Sequence, residues 1–287
     1  MYPAQFDYVR PSSLDEAIRL LAESGGEAKI IAGGHSLLPM MKLRLAQPAT
    51  LIDIGRLPGL NEIRVDANGV TIGALVTHAQ IAASPEIRRA LPALAEAASM
   101  VGDLQVRNRG TLGGSLAHAD PAGDPPAVVL ALDGEIVARG PNGEKTYKAT
   151  DFFVDILTTQ LGEDEIVTQV RFPALPPRTG TSYQKFDHPA SHYALTGVAA
   201  AVTRGDNGTI ERVRVGVTGV GPKAYRAEGV EQALQGKGTD QIAAAAERAA
   251  DGIDCNDDIH ASAEYRAHLA RVFTRRALEA AVRNAVA

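Results

Sequence analysis

The chain has 287 residues, of which 45% are hydrophobic and 22% charged, a composition typical of a globular protein with two compact units or three small ones. Its formal net charge of -5 disfavours nucleic acid as the main partner, because phosphate backbones are bound by basic surfaces. The single cysteine, Cys255, excludes a disulfide framework and cannot by itself hold a zinc or iron–sulfur centre.

The first 55 residues predict a small α/β unit. Ser13-Leu14-Asp15-Glu16 fits a capping box, and the helix that it starts ends at Gly25-Gly26. A short apolar strand over 28–32 then leads into the first glycine motif, Ala32-Gly33-Gly34-His35-Ser36. The unit continues with a predicted helix over 37–45 and a predicted strand over 50–54.

Residues 56–175 predict a second unit, built on short strands. Asp66-Ala67-Asn68-Gly69 is a hairpin signal between two apolar runs, and the alternation over 165–172 predicts another strand. The second glycine motif, Thr111-Leu112-Gly113-Gly114-Ser115, lies between them. The other predicted elements of this unit are helices over 77–83, 92–100 and 127–132 and a strand over 135–138.

Both glycine motifs join two glycines to a small hydroxyl residue. Adjacent glycines let backbone N–H groups turn toward one point without obstruction by a Cβ, and serine or threonine adds a side-chain donor. A diphosphate needs several fixed donors of this kind. Because the chain has two such motifs and no Walker lysine motif, the sequence predicts a dinucleotide held from two sides.

A proline-rich linker over 173–177 precedes the last unit. Strands over 197–203 and 210–218 are predicted around a turn over 205–208, and alanine-rich helices are predicted beyond them. Strands followed by helices favour an α+β domain, and α+β is the fold class predicted for the chain. The predicted helices cover 227–234, 240–250 and 262–286.

The two glycine motifs are part of a longer pattern. Arg107-Asn108-Arg109-Gly110 precedes the second motif, and a segment over 117–124, Ala-His-Ala-Asp-Pro-Ala-Gly-Asp, follows it. This pattern resembles the FAD-binding medium subunit of molybdenum hydroxylases, the xanthine dehydrogenase family, and nearly the whole chain is similar to the carbon monoxide dehydrogenase branch. The resemblance implies a two-part FAD-binding domain of the vanillyl-alcohol-oxidase-like type and a C-terminal domain of the carbon-monoxide-dehydrogenase-flavoprotein type. The implied units are a small α/β subdomain (1–55), a mixed-sheet subdomain (56–175) and a domain of three antiparallel strands and a helix bundle (178–287).

The resemblance also implies roles for individual residues. Both glycine motifs would hold the FAD diphosphate and neighbouring atoms, Asp124 would accept a hydrogen bond from the ribose or adenine side, and Tyr193 would lie close to the isoalloxazine ring. Each has a structural alternative: a turn cap for Asp124, a solvated charge for Lys185 and a core position for Tyr193. The roles of Arg107, Arg109 and His192 stay open. The implied cofactor-binding residues are Ala32, Gly33, Gly34, His35, Ser36, Thr111, Gly113, Gly114, Ser115, Asp124, Leu161, Lys185 and Tyr193.

No catalytic residue and no metal site are predicted. None of the seven histidines forms a convincing triad with a serine, and His118 with Asp120 lacks further ligands at a workable spacing. A histidine after a glycine pair can be an attachment point for flavin, but the resemblance implies that FAD is held non-covalently, beside His35 rather than on it.

The function implied is that of an FAD-containing electron-transfer subunit. Electrons would come from 2Fe–2S clusters of a small partner subunit, which a large molybdenum-cofactor subunit feeds, and would pass to an external acceptor. Carbon monoxide is the first candidate substrate of the complex, with nicotine, aldehydes and other aza-aromatic compounds as alternatives. A dimer of heterotrimers is expected.

Two other classes of function stay open. A stand-alone flavin oxidase with the same binding fold is disfavoured by the small C-terminal domain, by an aromatic content of 5% and by the lack of an evident base. A nucleotide-binding interaction module without redox chemistry would hold no flavin. A Rossmann NAD enzyme is excluded because no G-x-G-x-x-G follows a strand.

The expected location is the cytoplasm. The first residues lack the basic and apolar regions of a signal peptide, and no apolar run reaches the roughly 18 residues of a membrane span. Peripheral association with the inner face of a membrane, through the complex, is the alternative.

Overall fold

The computed structural model describes residues 1–285, and Val286 and Ala287, the end of the predicted helix over 262–286, lie outside the described residues. The described chain forms four sheets, three main ones of three, five and four strands and a small one of two strands, with helices packed between and outside them. The predicted α+β class is confirmed. The division of the chain at residues 55, 175 and 178 stays a prediction.

The first sheet is small and parallel. Its elements are β1 (Asp7–Val9), α1 (Leu14–Glu23), β2 (Ala28–Ile31), α2 (Leu37–Lys42) and β3 (Thr50–Asp53). The strand order is β1-β3-β2, so the first glycine motif leaves an edge strand. Ser13 caps α1 as predicted, because its Oγ accepts the N–H of Glu16 at 3.1 Å. Helix α2 ends three residues before the predicted boundary, where Arg44 takes a left-handed conformation with φ of 60°.

The second sheet has five strands, and all of its strand pairs are antiparallel. The elements of this region are β4 (Ile63–Asp66), β5 (Gly69–Gly73), α3 (His78–Ala83), α4 (Pro85–Ala90), α5 (Pro92–Met100), α6 (Leu104–Arg109), α7 (Leu112–His118), α8 (Asp124–Ala131), β6 (Glu135–Gly140), β7 (Gly143–Lys148), α9 (Ala149–Phe152), β8 (Phe153–Asp155), β9 (Thr158–Thr159) and β10 (Ile166–Pro173). Strands β8 and β9 pair with each other in the separate two-stranded sheet. The order β4-β5-β10-β6-β7 puts β10 in the centre, and β10 runs opposite to both neighbours. The sheet is therefore purely antiparallel, whereas the resemblance implied a mixed sheet.

Helices α4, α6 and α9 of this region were not predicted, and the second glycine motif is not a loop. Helix α4 begins at Pro85 behind the cap of Ser84, and helix α6 begins behind Asp103, whose Oδ1 accepts the N–H of Val106 at 2.8 Å. The second glycine motif forms the first turn of α7, with Thr111 as its N-cap. Its glycines therefore lie inside a helix.

The C-terminal sheet is antiparallel, in the order β11-β12-β13-β14. The elements are β11 (Thr179–Asp187), β12 (Ala194–Arg204), β13 (Ile210–Thr218), β14 (Tyr225–Arg226), α10 (Glu228–Leu234), a 3₁₀ turn (Thr239–Gln241), α11 (Ile242–Ala246) and α12 (Ala263–Asn284). A short fourth strand joins the three expected. The helix predicted over 240–250 is reduced to the 3₁₀ turn and α11. Helix α12 lies close on β11, because a Cβ on Gly180 would be 2.0 Å from the carbonyl oxygen of Ala281.

Candidate functional site

The first glycine motif presents unpaired backbone donors. The N–H groups of residues 32–37, six in succession, have no hydrogen-bond acceptor within residues 1–285. Gly34 has φ of +76°, a left-handed conformation that suits glycine. Successive N–H groups around such a residue form a concavity that binds anions. The motif can therefore donate several hydrogen bonds to one phosphate-bearing ligand.

The side chains of His35 and Ser36 in the first motif have different surroundings. The Nδ1 of His35 lies 3.1 Å from the carbonyl oxygen of Gly33, and the ring is exposed. Ser36 precedes α2 and makes no capping hydrogen bond with its side chain. The Ser36 hydroxyl is thus another donor that the helix does not use.

The structure places the first glycine motif against the segment that leads into the second. A Cβ on Gly33 would be 2.1 Å from the carbonyl oxygen of Arg109 and 3.1 Å from the Cα of Gly110. Only glycine fits this approach of two backbones. The two motifs, more than seventy residues apart in sequence, are therefore neighbours in the fold.

The second glycine motif has no comparable set of unpaired donors. The N–H of Gly113 donates to the carbonyl of Ala74 at 2.9 Å, and the N–H of Gly114 donates to the Thr111 hydroxyl at 3.2 Å. The N–H groups of Leu112 and Ser115 donate to backbone carbonyls at 3.0 Å. What this motif can offer a ligand is the open surface at the exposed Gly114 and the hydroxyl of Ser115.

A buried histidine that the sequence did not indicate supports the second motif. His78, the first residue of α3, is 1% exposed, and its Nε2 lies 2.9 Å from the Ser115 Oγ. Burial, with a smaller contribution from Arg107, lowers the His78 pKa to about 4. The ring is therefore neutral near pH 7. No local pattern distinguishes His78, because its partner lies 37 residues along the chain.

Asp124 and Lys185 bind each other. They form an ion pair of 3.0 Å with side chains 5% and 3% exposed, and the pair joins α8 to β11. The Tyr183 hydroxyl donates to the other carboxylate oxygen at 2.5 Å. Burial raises the pKa of Asp124 to about 6, while Lys185 and Tyr183 act in the opposite direction. Asp124 keeps unused lone pairs, because each carboxylate oxygen can accept two hydrogen bonds.

The Lys185 ammonium has three acceptors. Besides Asp124, they are the carbonyl oxygens of Met100 at 3.0 Å and His192 at 2.6 Å. All three ammonium protons are thus engaged within the protein. The structural alternative for Lys185, a solvated charge, is wrong, since burial and three hydrogen bonds replace water. Its predicted place near the cofactor stays a prediction.

Tyr193 lines a cavity of about 290 Å³ together with Asp120, His188 and His260. Its side chain is 45% exposed, so the structural alternative of a core position is wrong. Leu161 follows β9, which packs against α7, and its side chain packs on the core of the five-stranded sheet. The predicted roles of Tyr193 and Leu161 beside a cofactor stay predictions.

The structure shows the contacts of Arg107, Arg109 and His192, whose roles the sequence left open. The Arg107 guanidinium donates to the carbonyls of Val101 and Gly102, whereas Arg109 meets Gly33 through its backbone. His192 has φ of 57°, and its Nδ1 lies 3.2 Å from Asp187. Arg107 therefore orders the turn before α6.

Residues 1–285 contain neither a metal-binding cluster nor a membrane-spanning helix. No group of three or more His, Cys, Asp and Glu side chains is placed to bind a metal ion there, and His118 lies 3.6 Å from Asp120 without a further ligand. None of the helices in this part of the chain is long and apolar enough to cross a membrane.

Comparison with protein families divides the chain in two. Residues 4–175 match the family described as the FAD binding domain in molybdopterin dehydrogenase. Residues 181–281 match the carbon monoxide dehydrogenase flavoprotein C-terminal domain.

Individual relatives align along nearly the whole chain. The carbon monoxide dehydrogenase medium chain of Hydrogenophaga pseudoflava is 41% identical over 283 residues, 98% of each chain. The nicotine 6-hydroxylase medium subunit of Paenarthrobacter nicotinovorans is also 41% identical, over 94% of this chain and 95% of the relative. A solved structure of the Hydrogenophaga pseudoflava carbon monoxide dehydrogenase, lacking the Mo-pyranopterin moiety, matches with a TM-score of 0.95 and 42% identity over 99% of both chains.

Proposed function

Since the chain belongs to the family of FAD-binding medium subunits of molybdopterin dehydrogenases, we propose that it passes electrons from the 2Fe–2S clusters of a partner subunit to an external acceptor. When bound, FAD supplies the redox chemistry, and the protein supplies binding, orientation and electrostatics. The observation that carries the proposal is the row of unpaired N–H groups over residues 32–37. A diphosphate is the part of FAD that such donors match.

The two glycine motifs divide the binding of the diphosphate in this proposal. The first motif donates from its backbone. The second motif leaves room at Gly114 and donates from the Ser115 hydroxyl. The exposed His35 side chain is not bonded to the flavin, so FAD is held non-covalently. The predicted contacts of Asp124, Leu161, Lys185 and Tyr193 with the cofactor belong to the same proposal.

The proposed partners are a large molybdenum-cofactor subunit and a small iron–sulfur subunit, in a dimer of heterotrimers. Medium-chain and medium-subunit relatives of nearly equal length support the two partner subunits, because their names imply further subunits. Carbon monoxide is the proposed substrate of the complex and nicotine the alternative. The two relatives share the same 41% identity with this chain, the first over 283 residues and the second over 273, and the substrate would bind in another subunit.

The test of the proposed function is the visible absorption spectrum of the natively purified protein, before and after acid precipitation. FAD bands that move into the supernatant would support a non-covalent flavoprotein. A flavin retained in the pellet would indicate attachment at His35 and favour the oxidase. Colourless protein from a flavin-replete preparation would overturn the proposal.

The partners and the substrate are tested on the same preparation. Iron–sulfur absorbance that copurifies with the chain is expected, and analytical ultracentrifugation should give the mass of a dimer of heterotrimers. Bleaching of the flavin absorbance by carbon monoxide, but not by nicotine, is the expected result. Bleaching by nicotine alone would reverse the order of the two substrates.

A further inference from the structure

His78 is attached both to the second glycine motif and to Gly110, the residue just before it. Its backbone N–H donates to the carbonyl of Gly110 at 3.0 Å, and its ring Nε2 lies 2.9 Å from the Ser115 Oγ. The side chain is almost completely buried. The orientation of the Ser115 hydroxyl therefore depends on which ring nitrogen of His78 carries the proton.

The other ring nitrogen identifies the tautomer. Nδ1 of His78 is buried and has no hydrogen-bond partner within the described residues. A buried N–H without an acceptor costs about 1–3 kcal/mol, and orphaned N–H groups are rarer than under-used acceptors. The proton therefore resides on Nε2, with the bare lone pair on Nδ1. Consequently the Nε2–H group donates and the Ser115 Oγ accepts.

This direction leaves the hydroxyl proton of Ser115 free. Within residues 1–285 the Oγ has no second partner, and the carbonyl of Thr111, one turn earlier, already accepts the Ser115 N–H. A hydroxyl that accepts from an imidazole can use its own proton only as a donor to another acceptor. Ser115 is thus held as a donor.

The Ser115 hydroxyl belongs to the same small region as the first glycine motif. A Cβ on Gly110 would be 3.0 Å from the His78 ring, and a Cβ on Gly33 would be 3.1 Å from the Cα of Gly110. Gly33, Gly110, His78 and Ser115 thus form a contiguous series of contacts. These contacts connect the free hydroxyl proton of Ser115 to the first motif, whose N–H groups over residues 32–37 are unpaired.

We propose that His78 is a positioning residue, which fixes the Ser115 hydroxyl as a hydrogen-bond donor to a phosphate oxygen of the bound flavin dinucleotide. The inference rests on the proposed function, because it needs a diphosphate between the two glycine motifs. His78, which lies outside both motifs, thereby sets the orientation of the Ser115 hydroxyl within the second motif.

A double-mutant cycle on FAD affinity tests the inference in the full-length apoprotein. His78→Leu removes the donor, His78→Gln keeps an N–H near the position of Nε2, and Ser115→Ala removes the hydroxyl. A hydrogen bond to a charged group corresponds to about a tenfold change in Kd or more. We expect His78→Leu and Ser115→Ala each to raise the FAD Kd about tenfold, and His78→Gln to restore most of the affinity.

The decisive result is the coupling. If His78 acts through Ser115, His78→Leu adds nothing to the Kd in the Ser115→Ala background. Ile81→Ala is the matched control, since Ile81 is fully buried on the same helix and its side chain has no hydrogen-bonding group. It should lower the melting temperature and leave the Kd unchanged.

Other outcomes overturn the inference. Additive effects of His78→Leu and Ser115→Ala, or an equal Kd shift in Ile81→Ala, would reduce His78 to a packing residue. A wild-type chain that binds no FAD would instead contradict the proposed function. If His78→Leu does not fold, nitrogen-15 NMR of the wild-type imidazole still decides, because the Nδ1–H tautomer would contradict the proposal.

Discussion

The two glycine motifs are similar in sequence, but their backbone N–H groups are used differently in the structure. The first leaves the N–H groups of residues 32–37 without acceptors, whereas the N–H groups of residues 112–115 all bond within the protein. Glycine serves the first motif through a left-handed turn and a close backbone contact. It serves the second by letting α7 pack against Ala74, since a Cβ on Gly113 would lie 2.5 Å from the Ala74 Cβ. A glycine pair therefore indicates close approach, and only the fate of its donors indicates a ligand.

The largest expected effect concerns the segment that follows the second motif, over 117–124, where Asp124 pairs with Lys185. Lys185→Met leaves a buried carboxylate without its cation, which costs about 3–5 kcal/mol of the free energy of unfolding. Urea denaturation of the apoprotein measures the loss. Lys148→Met, at an exposed lysine, is the control and should change little. A loss of FAD affinity with unchanged stability would show that the pair serves the cofactor, as the first motif does.

Gly33→Ala tests the first motif. The added Cβ would meet the Arg109 carbonyl oxygen at 2.1 Å, so one backbone must move and the row of donors is displaced. Losing one or two hydrogen bonds to the charged diphosphate, about 3 kcal/mol of binding free energy, corresponds to a rise in the FAD Kd of about 100-fold, measured by quenching of flavin fluorescence. His35→Ala, which keeps every backbone N–H, should stay within about threefold of wild type. Equal losses in the two variants would contradict a backbone site.

Acid should act on the second motif through His78. The pKa of this ring is about 4 in the folded chain against 6.5 for an ordinary histidine, so the unfolded chain binds more protons between these values. Stability therefore falls as the pH is lowered from 6.5 to 4, by at most about 3 kcal/mol. Thermal melts against pH measure the slope. His78→Gln should flatten it, and identical slopes in both proteins would remove His78 as the cause.

The two glycines of the second motif should separate fold from binding. Gly113→Ala forces a clash with Ala74 and should lower stability by about 1–3 kcal/mol. Gly114 is exposed, and a Cβ there would meet only the Thr111 hydroxyl, at 2.7 Å, so Gly114→Val should cost the Thr111 cap, roughly 1 kcal/mol, but keep the fold and block the approach of the diphosphate. Melting temperature and flavin occupancy report the two effects. Full occupancy in Gly114→Val would exclude the second motif from the diphosphate site.

The sequence predicts what local pattern determines. Ser13 begins its helix as expected, the hairpin over 66–69 joins β4 to β5, and α5 covers 92–100 as predicted. Ser84 and Asp103 also carried local N-cap signals for α4 and α6, which were not predicted. The α+β class and the family follow from such patterns, because sequence motifs and the order of helices and strands can both be read from the linear sequence.

The rest depends on contacts between distant residues. Nothing near Lys185 indicates that its partner is Asp124, 61 residues earlier, or that both are buried. Likewise, the acceptors that engage the second motif lie at Ala74 and Val76, on a segment that carries no glycine pattern. The different hydrogen bonding of the two motifs therefore cannot be predicted from the sequence around them.

Hydrogen exchange of the apoprotein and of the FAD-bound chain tests the central claim most directly. Amides of residues 32–37 should exchange fast without FAD, since they lack acceptors, and should slow when FAD is added. Amides of residues 112–115 should already be protected without FAD and change little. Slowing confined to residues 112–115, with residues 32–37 unchanged, would contradict the assignment of the first glycine motif as the diphosphate site.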